Sequence, residues 1–326
     1  MNQFSYVRPA SLKAAIDAVA KDNTARFIAG GTNLLDLMKS GVVIPEKLVD
    51  INRLPLKDIQ LNGNTLHIGA LALNSELAAH ELVTTHHPLL SQALLAGASQ
   101  QLRNMATVGG NMMQRTRCTY FYDTTMPCNK RSPNSGCGAI GGINRMHAIF
   151  GASESCIAVH PSDMCVALAA LDATVLVTGP KGNRRIPFTD FHRLPGNTPQ
   201  LDNNLAKGEL ITAVEIPANA YTKNVYYLKV RDRASYAFAL VSVAAALDIS
   251  NNVIRSARLA MGGVAHKPWR LYDAEKALAG KAPTEENFRH AADIALQSAK
   301  AYTHNQFKTG LSVNSIQTAL LKAASV

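Results

Sequence analysis

In Arg26-Phe27-Ile28-Ala29-Gly30-Gly31-Thr32-Asn33-Leu34 a short apolar strand runs into two glycines and then into the start of a helix. Exposed backbone N–H groups and the positive end of the helix then face one point, an anion cradle. The glycines let a diphosphate approach the backbone closely. Asn33 stands where a Walker-type loop needs lysine, and the spacing is not the G-x-G-x-x-G of dinucleotide-binding strands. A plain glycine turn between strand and helix is the alternative at this stage. Outward from this stretch the chain alternates strand and helix. Residues 4–7 read as a strand, and Ser11 caps a helix with Leu12, Ala15, Ile16 and Val19 on one face. Residues 34–39 read as a helix, 47–51 as a strand, 56–61 and 65–68 as a hairpin, and 74–79 and 89–96 as helices.

A second pair of adjacent glycines follows in Gln101-Leu-Arg-Asn-Met-Ala-Thr-Val-Gly-Gly-Asn111, beside the small polar side chains of Thr107 and Asn111. Two such loops favour one large phosphate-bearing ligand over two unrelated turns. In His160-Pro-Ser-Asp163 the acid falls at the start of a helix over 163–171, where it contacts a ligand or, with Ser162, caps that helix.

Between about 115 and 155 the periodicity dissolves into a Gly- and Pro-rich stretch holding four of the five cysteines. A structureless segment this long needs something other than hydrophobic burial to hold it. Cys118, Cys128, Cys137 and Cys156 are separated by nine, eight and eighteen residues, which matches no standard zinc or ferredoxin spacing. Four thiolates on one metal centre would tie the segment together. The alternatives are ordinary buried thiols, or zinc with His147 as a substitute ligand. Cys165, among Met164, Val166 and Leu168, reads as a buried structural thiol.

With 326 residues, 47% hydrophobic and 17% charged, the chain is globular and long enough for about two domains. An odd count of five cysteines excludes a disulfide scaffold. The net charge is +10. About half of it lies in one stretch, where Arg103, Arg115, Arg117, Lys130, Arg131 and Arg145 face Asp123 alone. An anionic cluster and a diphosphate account for this surplus more economically than a nucleic acid does. No signal peptide is apparent, and the longest apolar run, 237–247, is too short to span a bilayer. The chain is therefore expected to be soluble and cytoplasmic, or periplasmic if a signal-bearing partner carries it across.

A second unit is expected after Pro217. Strands at 226–231, 239–249 and 253–261, with Asn251-Asn252 as a hairpin turn, precede helices near 269–279, 285–298 and 314–324. Strands followed by helices indicate an α+β class. His86-His87 reads as a solvated loop, and no G-x-S-x-G, H-E-x-x-H or paired-carboxylate pattern suggests a hydrolase.

Five ordered motifs carry a resemblance over nearly the whole chain. They are Ala29-Gly-Gly-Thr-Asn-Leu34, Arg103-Asn-Met-Ala-Thr-Val-Gly-Gly-Asn111, Ser162-Asp163, Gly208-Glu-Leu-Ile211, and Lys229 followed by Val241-Ser-Val-Ala-Ala245. Together they resemble the FAD-binding subunit of the xanthine dehydrogenase family of molybdenum hydroxylases. Gln114-Arg-Thr-Arg-Cys118 and Pro127-Cys-Asn-Lys-Arg131 look most like the branch of bacterial aldehyde oxidoreductases whose FAD subunit carries an extra 4Fe–4S cluster. The benzoyl-CoA-reductase-type branch also has a cluster here.

The resemblance implies a PCMH-type α+β FAD-binding domain over 1–217, with a cluster-binding insertion at about 115–156. A smaller α+β domain of the molybdenum-hydroxylase flavoprotein C-terminal type would follow over 218–326. It implies that Arg26, Phe27, Ile28, Ala29, Gly30, Gly31, Thr32, Asn33 and Leu34 hold the FAD pyrophosphate with Thr107, Gly110 and Asn111. Asp163, Ile211 and Lys229 would contact FAD elsewhere, and Cys118, Cys128, Cys137 and Cys156 would ligate the cluster. The expected role is electron transfer in a heterotrimer. A molybdopterin-binding catalytic subunit would oxidise an aldehyde, a 2Fe–2S subunit would relay electrons, and an external acceptor would receive them. No residue of this chain is then catalytic in the acid–base sense. The alternatives are a related aromatic thioester reductase or purine dehydrogenase and, from another class, a zinc-stabilised nucleic-acid-binding protein.

Overall fold

Ser11 opens the first helix by accepting the Ala14 N–H on its Oγ at 3.2 Å, and Ala15, Ile16 and Val19 are buried along one face. In the computed structural model, which describes residues 1–326, this helix is α1 (Leu12–Ala20). Around it stand β1 (Ser5–Val7), β2 (Ala25–Ile28), α2 (Leu34–Lys39) and β3 (Lys47–Asp50). β1 and β2 flank β3 in a three-stranded parallel sheet, with Ile28 opposite Asp50.

The next layer begins with the hairpin of β4 (Ile59–Asn62) and β5 (Thr65–Gly69), turned at Gly63 with φ +60°. Helices α3 (Asn74–Ala79), α4 (Glu81–His86), α5 (Pro88–Ala96), α6 (Gln100–Arg103) and α7 (Val108–Met112) follow. The cysteine segment contributes only two single-turn helices, α8 (Thr119–Tyr122) and α9 (Gly138–Gly141). Then come α10 (Asp163–Ala170), β6 (Thr174–Gly179), β7 (Gly182–Pro187), α11 (Phe188–Phe191) and β8 (Leu210–Ile216). The five antiparallel strands order as β4-β5-β8-β6-β7. β7 escapes a pattern-based reading because it is an exposed edge whose only buried side chain is Ile186.

The C-terminal unit is β9 (Val225–Val230), β10 (Val241–Ser250), β11 (Val253–Gly262), β12 (Trp269–Arg270), α12 (Tyr272–Leu278), α13 (Glu285–Ala295) and α14 (Phe307–Ala324). β10 reads as an apolar run from Val241 to Leu247, interrupted only by Ser242, because both of its faces are covered. Ala244 and Ala246 pack into the core of the N-terminal half, and Val243, Ala245 and Leu247 pack against the C-terminal helices. Asn251 and Asn252 both take positive φ, +53° and +60°, as a two-residue hairpin requires.

Three expectations need correction. The helix placed near 269 starts at Tyr272, because Trp269 and Arg270 pair with Met261 and Ala260. Trp269 stacks on Phe150 with ring centroids 5.2 Å apart, a tertiary contact that overrides local propensity. The last helix begins at Phe307, its first turns disguised by the buried polar residues Lys308 and Ser312. His87 is buried, not solvated. It accepts a hydrogen bond from Asn219 at 3.2 Å, and burial pushes its imidazole down to about 4.

The two halves interlock. Ile149 and Phe150, from the cysteine segment, donate their N–H groups to the Val264 carbonyl at 2.9 and 3.0 Å and belong to the C-terminal core. The fully buried Lys308 ammonium joins the carbonyls of His147 and Gly263 at 3.0 and 2.8 Å.

Candidate functional site

β2 delivers the first glycine loop against the second. A Cβ on Gly30 would lie 1.8 Å from the Met105 carbonyl oxygen, so the two loops touch backbone to backbone and only glycine fits. Gly31 adopts φ +73°, which turns the chain toward α2. The N–H groups of Gly30, Gly31, Thr32 and Asn33 find no acceptor anywhere in the chain. Four consecutive donors left open beside a left-handed glycine are a set that a bound anion can satisfy. Asn33 Oδ1 accepts the Arg115 N–H at 2.9 Å, while its Nδ2 is buried without a partner. Arg26 turns away and donates to the carbonyls of Asn23 and Ala25, and Phe27 and Ala29 pack in the small N-terminal core. Residues 26–29 therefore position the loop, and residues 30–33 present the donors.

The second loop differs, because its own backbone is largely satisfied. Val108 and Gly109 donate to the carbonyls of Ala72 and Ala70 at 3.0 and 2.8 Å, and Gly110 donates to Thr107 Oγ1 at 3.2 Å. Ala70 in turn donates to the Thr212 carbonyl at 2.9 Å. Ile211 lies next to that residue, buried in the sheet core behind the loop. It is not brought to the open donors. The Ser162 hydroxyl donates to Asn111 Oδ1 and accepts the Cys165 N–H at 3.1 Å, so the cap of α10 also fixes the loop.

Asp163 and Lys229 form one buried ion pair at 2.7 Å, and Tyr227 donates to the other carboxylate oxygen at 2.8 Å. Asp163 lines a cavity of about 460 Å³ between the two halves, together with Ser162, Cys118, Tyr120, Ser242 and Phe238. Gly262 and Gly263 also border it, and a Cβ on Gly262 would lie 2.5 Å from Ser242 Oγ. Near the mouth the Arg117 guanidinium lies over the Phe238 ring at 5.0 Å, and Arg145 pairs with Asp232 at 2.7 Å.

All five cysteines are free thiols. Cys118, Cys128, Cys137 and Cys156 converge on one small cavity, walled also by Phe121, Ala139 and Ala158. Cys118, Thr116 and Tyr120 line both this cavity and the larger one, so the two share a wall. The neighbouring Cys156 thiol draws the Cys137 thiol below its ordinary value, and burial pushes Cys118 up to about 11. The only three metal-ligating groups whose ligand atoms all lie within 4.8 Å of one another are His160, Cys165 and His192. The four converging thiols are thus spread wider than the separation of about 3.8 Å that tetrahedral zinc with Zn–S near 2.3 Å demands. Cys165 is wholly buried on α10, and the neighbouring His192 donates Nε2–H to the Met112 carbonyl at 2.9 Å, holding the end of α7.

The basic side chains of the segment have partners within the chain. Arg131 donates to the carbonyls of Tyr120 and Phe121 at 3.0 and 2.8 Å, and Arg117 pairs with Asp36 at 3.1 Å. Lys130 and Arg115 meet Asp202 at 2.5 and 2.6 Å, and Arg103 donates to the Gly97 carbonyl at 2.7 Å. Backbone carbonyls of an irregular segment have no ladder partners, and guanidinium forks replace them. This use was invisible in the sequence because Asp202 and Asp36 lie far from the segment.

Asp202 yields a pH prediction. Burial opposes its ionisation, yet Lys130 and Arg115 hold its carboxyl at about 2, below the ordinary 3.8. A depressed carboxyl stabilises the fold above its unfolded-state pKa, and the contribution is lost as pH falls through the folded one. The difference amounts to about 2 kcal/mol. Chemical unfolding followed against pH is expected to show this stability vanishing between about pH 4 and pH 2 in the wild type. Asp202→Asn should flatten that part of the profile; an unchanged slope would show that the triad carries no linkage.

Comparison with known proteins places this architecture. Residues 2–219 match the family described as "FAD binding domain in molybdopterin dehydrogenase", and residues 226–323 match "CO dehydrogenase flavoprotein C-terminal domain". The chain belongs to this family, the FAD-binding oxidoreductase subunits of the molybdenum hydroxylases, and its fold is the PCMH-type α+β domain followed by a smaller α+β domain. It is 48% identical over 325 residues to the aldehyde oxidoreductase FAD-binding subunit PaoB of Escherichia coli (strain K12), covering 99% of each chain. It is 32% identical over 280 residues to the glyceraldehyde dehydrogenase medium chain of Sulfolobus acidocaldarius, covering 86% of this chain and 82% of the relative. Among solved structures, carbon monoxide dehydrogenase from Hydrogenophaga pseudoflava superposes with a TM-score of 0.78 at 27% identity, covering 99% of this chain and 98% of the other. Quinoline 2-oxidoreductase from Pseudomonas putida 86 does so with 0.76 at 28% identity, with the same coverage. No helix is long and apolar enough to cross a membrane.

FAD fits the residues present. The open donors of 30–33 and the unpartnered Asn33 Nδ2 suit its pyrophosphate, and the interdomain cavity has the size and mixed walls of a cofactor site.

Proposed function

We propose that this chain is the FAD- and 4Fe–4S-carrying electron-transfer subunit of a molybdenum-dependent aldehyde oxidoreductase. Its partners would be a molybdopterin-binding catalytic subunit and a 2Fe–2S subunit, with an external molecule as final acceptor. The observation that carries the reading is the convergence of Cys118, Cys128, Cys137 and Cys156 on a cavity sharing a wall with the interdomain cavity. No three of the four sulfurs lie within 4.8 Å of one another, an open arrangement of the kind a polynuclear centre takes when its ligands bind different metal atoms. The likeness to an aldehyde oxidoreductase subunit over 99% of both chains supports the substrate class.

In this reading Gly30, Gly31, Thr32 and Asn33 bind the pyrophosphate of FAD through their N–H groups, and Thr107, Gly110 and Asn111 form the facing wall. Asp163, fixed by Lys229 and Tyr227, presents a fixed charge pair at the interdomain cavity. Bound FAD and the cluster supply the storage and transfer of electrons, chemistry that no side chain here provides. The chain supplies position, dryness and fixed dipoles around them.

Co-purification of the complex with mass spectrometry, an absorption spectrum and aldehyde turnover tests the proposal. Flavin absorbance, iron with acid-labile sulfide, and both partner subunits are expected. Zinc without iron, or turnover of purines or aromatic thioesters in place of aldehydes, would overturn it.

A further inference from the structure

Two histidines touch two of the four converging thiols. His147 Nε2 lies 3.1 Å from Cys118 Sγ, and His266 Nε2 lies 3.3 Å from Cys156 Sγ. Both side chains are buried, and on both rings the other nitrogen, Nδ1, is buried without a hydrogen-bond partner. A neutral imidazole carries one N–H. Nothing meets hydrogen-bond geometry at either Nδ1, although the Asn144 carbonyl lies close to the His147 ring; with a sulfur at each Nε2, the proton belongs there, pointing at the sulfur.

The rings are held from outside the cysteine segment's own turns. The His147 carbonyl accepts from Asn305 Nδ2 at 3.2 Å and from the buried Lys308 ammonium at 3.0 Å. His266 lies 110 residues from Cys156, between β11 and β12, next to Ala265, whose carbonyl accepts the His160 N–H at 2.9 Å. The C-terminal unit thus fixes both contacts, one directly and one through His147.

We infer that His147 and His266 are positioning residues that donate N–H···S hydrogen bonds to Cys118 and Cys156 and thereby raise the reduction potential of the centre those cysteines hold. The inference rests on the four-cysteine reading above. A hydrogen bond to a ligand sulfur stabilises the more negative, reduced state more than the oxidised state, so such bonds raise the potential. Neither ring has another polar task at Nε2.

The test uses the purified complex with His147→Phe, His266→Phe and the double variant. His147→Gln and His266→Gln serve as rescues that return an amide N–H to the same space. Iron and acid-labile sulfide are measured first, then the midpoint potential by EPR-monitored redox titration. Iron content is expected to hold in the single variants, while the reduction equilibrium shifts about tenfold toward the oxidised form, about 59 mV for one electron. The double variant should shift further, and the glutamine variants should recover part of the loss. Retained iron with unchanged potentials overturns the inference and leaves the four-cysteine reading standing. Iron lost from the phenylalanine variants, with a changed EPR signal in the glutamine variants, makes the rings ligands and also overturns it. Wild-type complex holding no iron beyond that of the 2Fe–2S subunit removes the four-cysteine reading itself, so the two failures are distinguishable.

Discussion

Cys128→Ala is expected to abolish tight iron binding while leaving the flavin-binding half folded. Changes outside the ligand shell already cost about 10–100-fold in metal affinity, so losing a ligand should cost at least about 100-fold. The second consequence is structural. The segment from Arg115 to Cys156 contains only two single-turn helices; Ile149 and Phe150 anchor its end in the C-terminal core, but its first half has little apolar core, with Phe121 and Cys128 packing on Leu37. Without a metal centre the order of its first half, up to about residue 137, rests largely on Arg131, Lys130 and Arg115. Limited proteolysis should therefore cut the variant within this segment while the wild type resists. Cys165→Ala is the matched control. Its thiol is wholly buried in the main core, so the change should cost about 1 kcal/mol of stability and leave iron untouched. Equal iron loss in both variants would remove the distinction between ligand and core cysteine.

Gly30→Ala is expected to weaken FAD binding by at least about 100-fold, equivalent to about 2.7 kcal/mol. The added carbon would sit 1.8 Å from the Met105 carbonyl oxygen and 2.7 Å from its carbon, and both are backbone atoms. No rotamer change relieves this, so the two loops must separate and the donors of 30–33 lose their common focus. Gly41 provides the comparison. It has φ +71° but nothing within 4 Å of an added Cβ. Gly41→Ala should cost about 1–2 kcal/mol in stability through backbone strain alone, with FAD affinity unchanged. Fluorescence titration of the flavin-stripped chain measures both. Wild-type affinity in Gly30→Ala would mean that the loop contact does not shape the site.

Much of this site was legible in the sequence because its parts are local. The glycine pairs, the Ser162 cap and the Cys-rich stretch each announce themselves within a few residues, and the asparagine hairpin at 251–252 does so for the C-terminal sheet. What stayed hidden depends on distant partners. Gly30 against Met105, Asp163 against Lys229, and Lys130 against Asp202 are contacts that no local pattern encodes. His266, 110 residues from the cysteine it touches, gave no signal at all. His87 was misread for the same reason, since Asn219 and the burial of its ring come from elsewhere in the chain. The surplus of positive charge is legible in the sequence, but its partners within the chain are not. It meets backbone carbonyls and three carboxylates, Asp36, Asp202 and Asp232, all outside the segment's own stretch of sequence.

The most direct test of the central claim is the content of iron, acid-labile sulfide, zinc and FAD in the anaerobically purified complex. Iron and sulfide are expected in equal amounts and in excess of what the 2Fe–2S subunit holds, alongside one flavin per copy of this chain, with zinc absent from it. Zinc without sulfide, or flavin without any iron attributable to this chain, would contradict it.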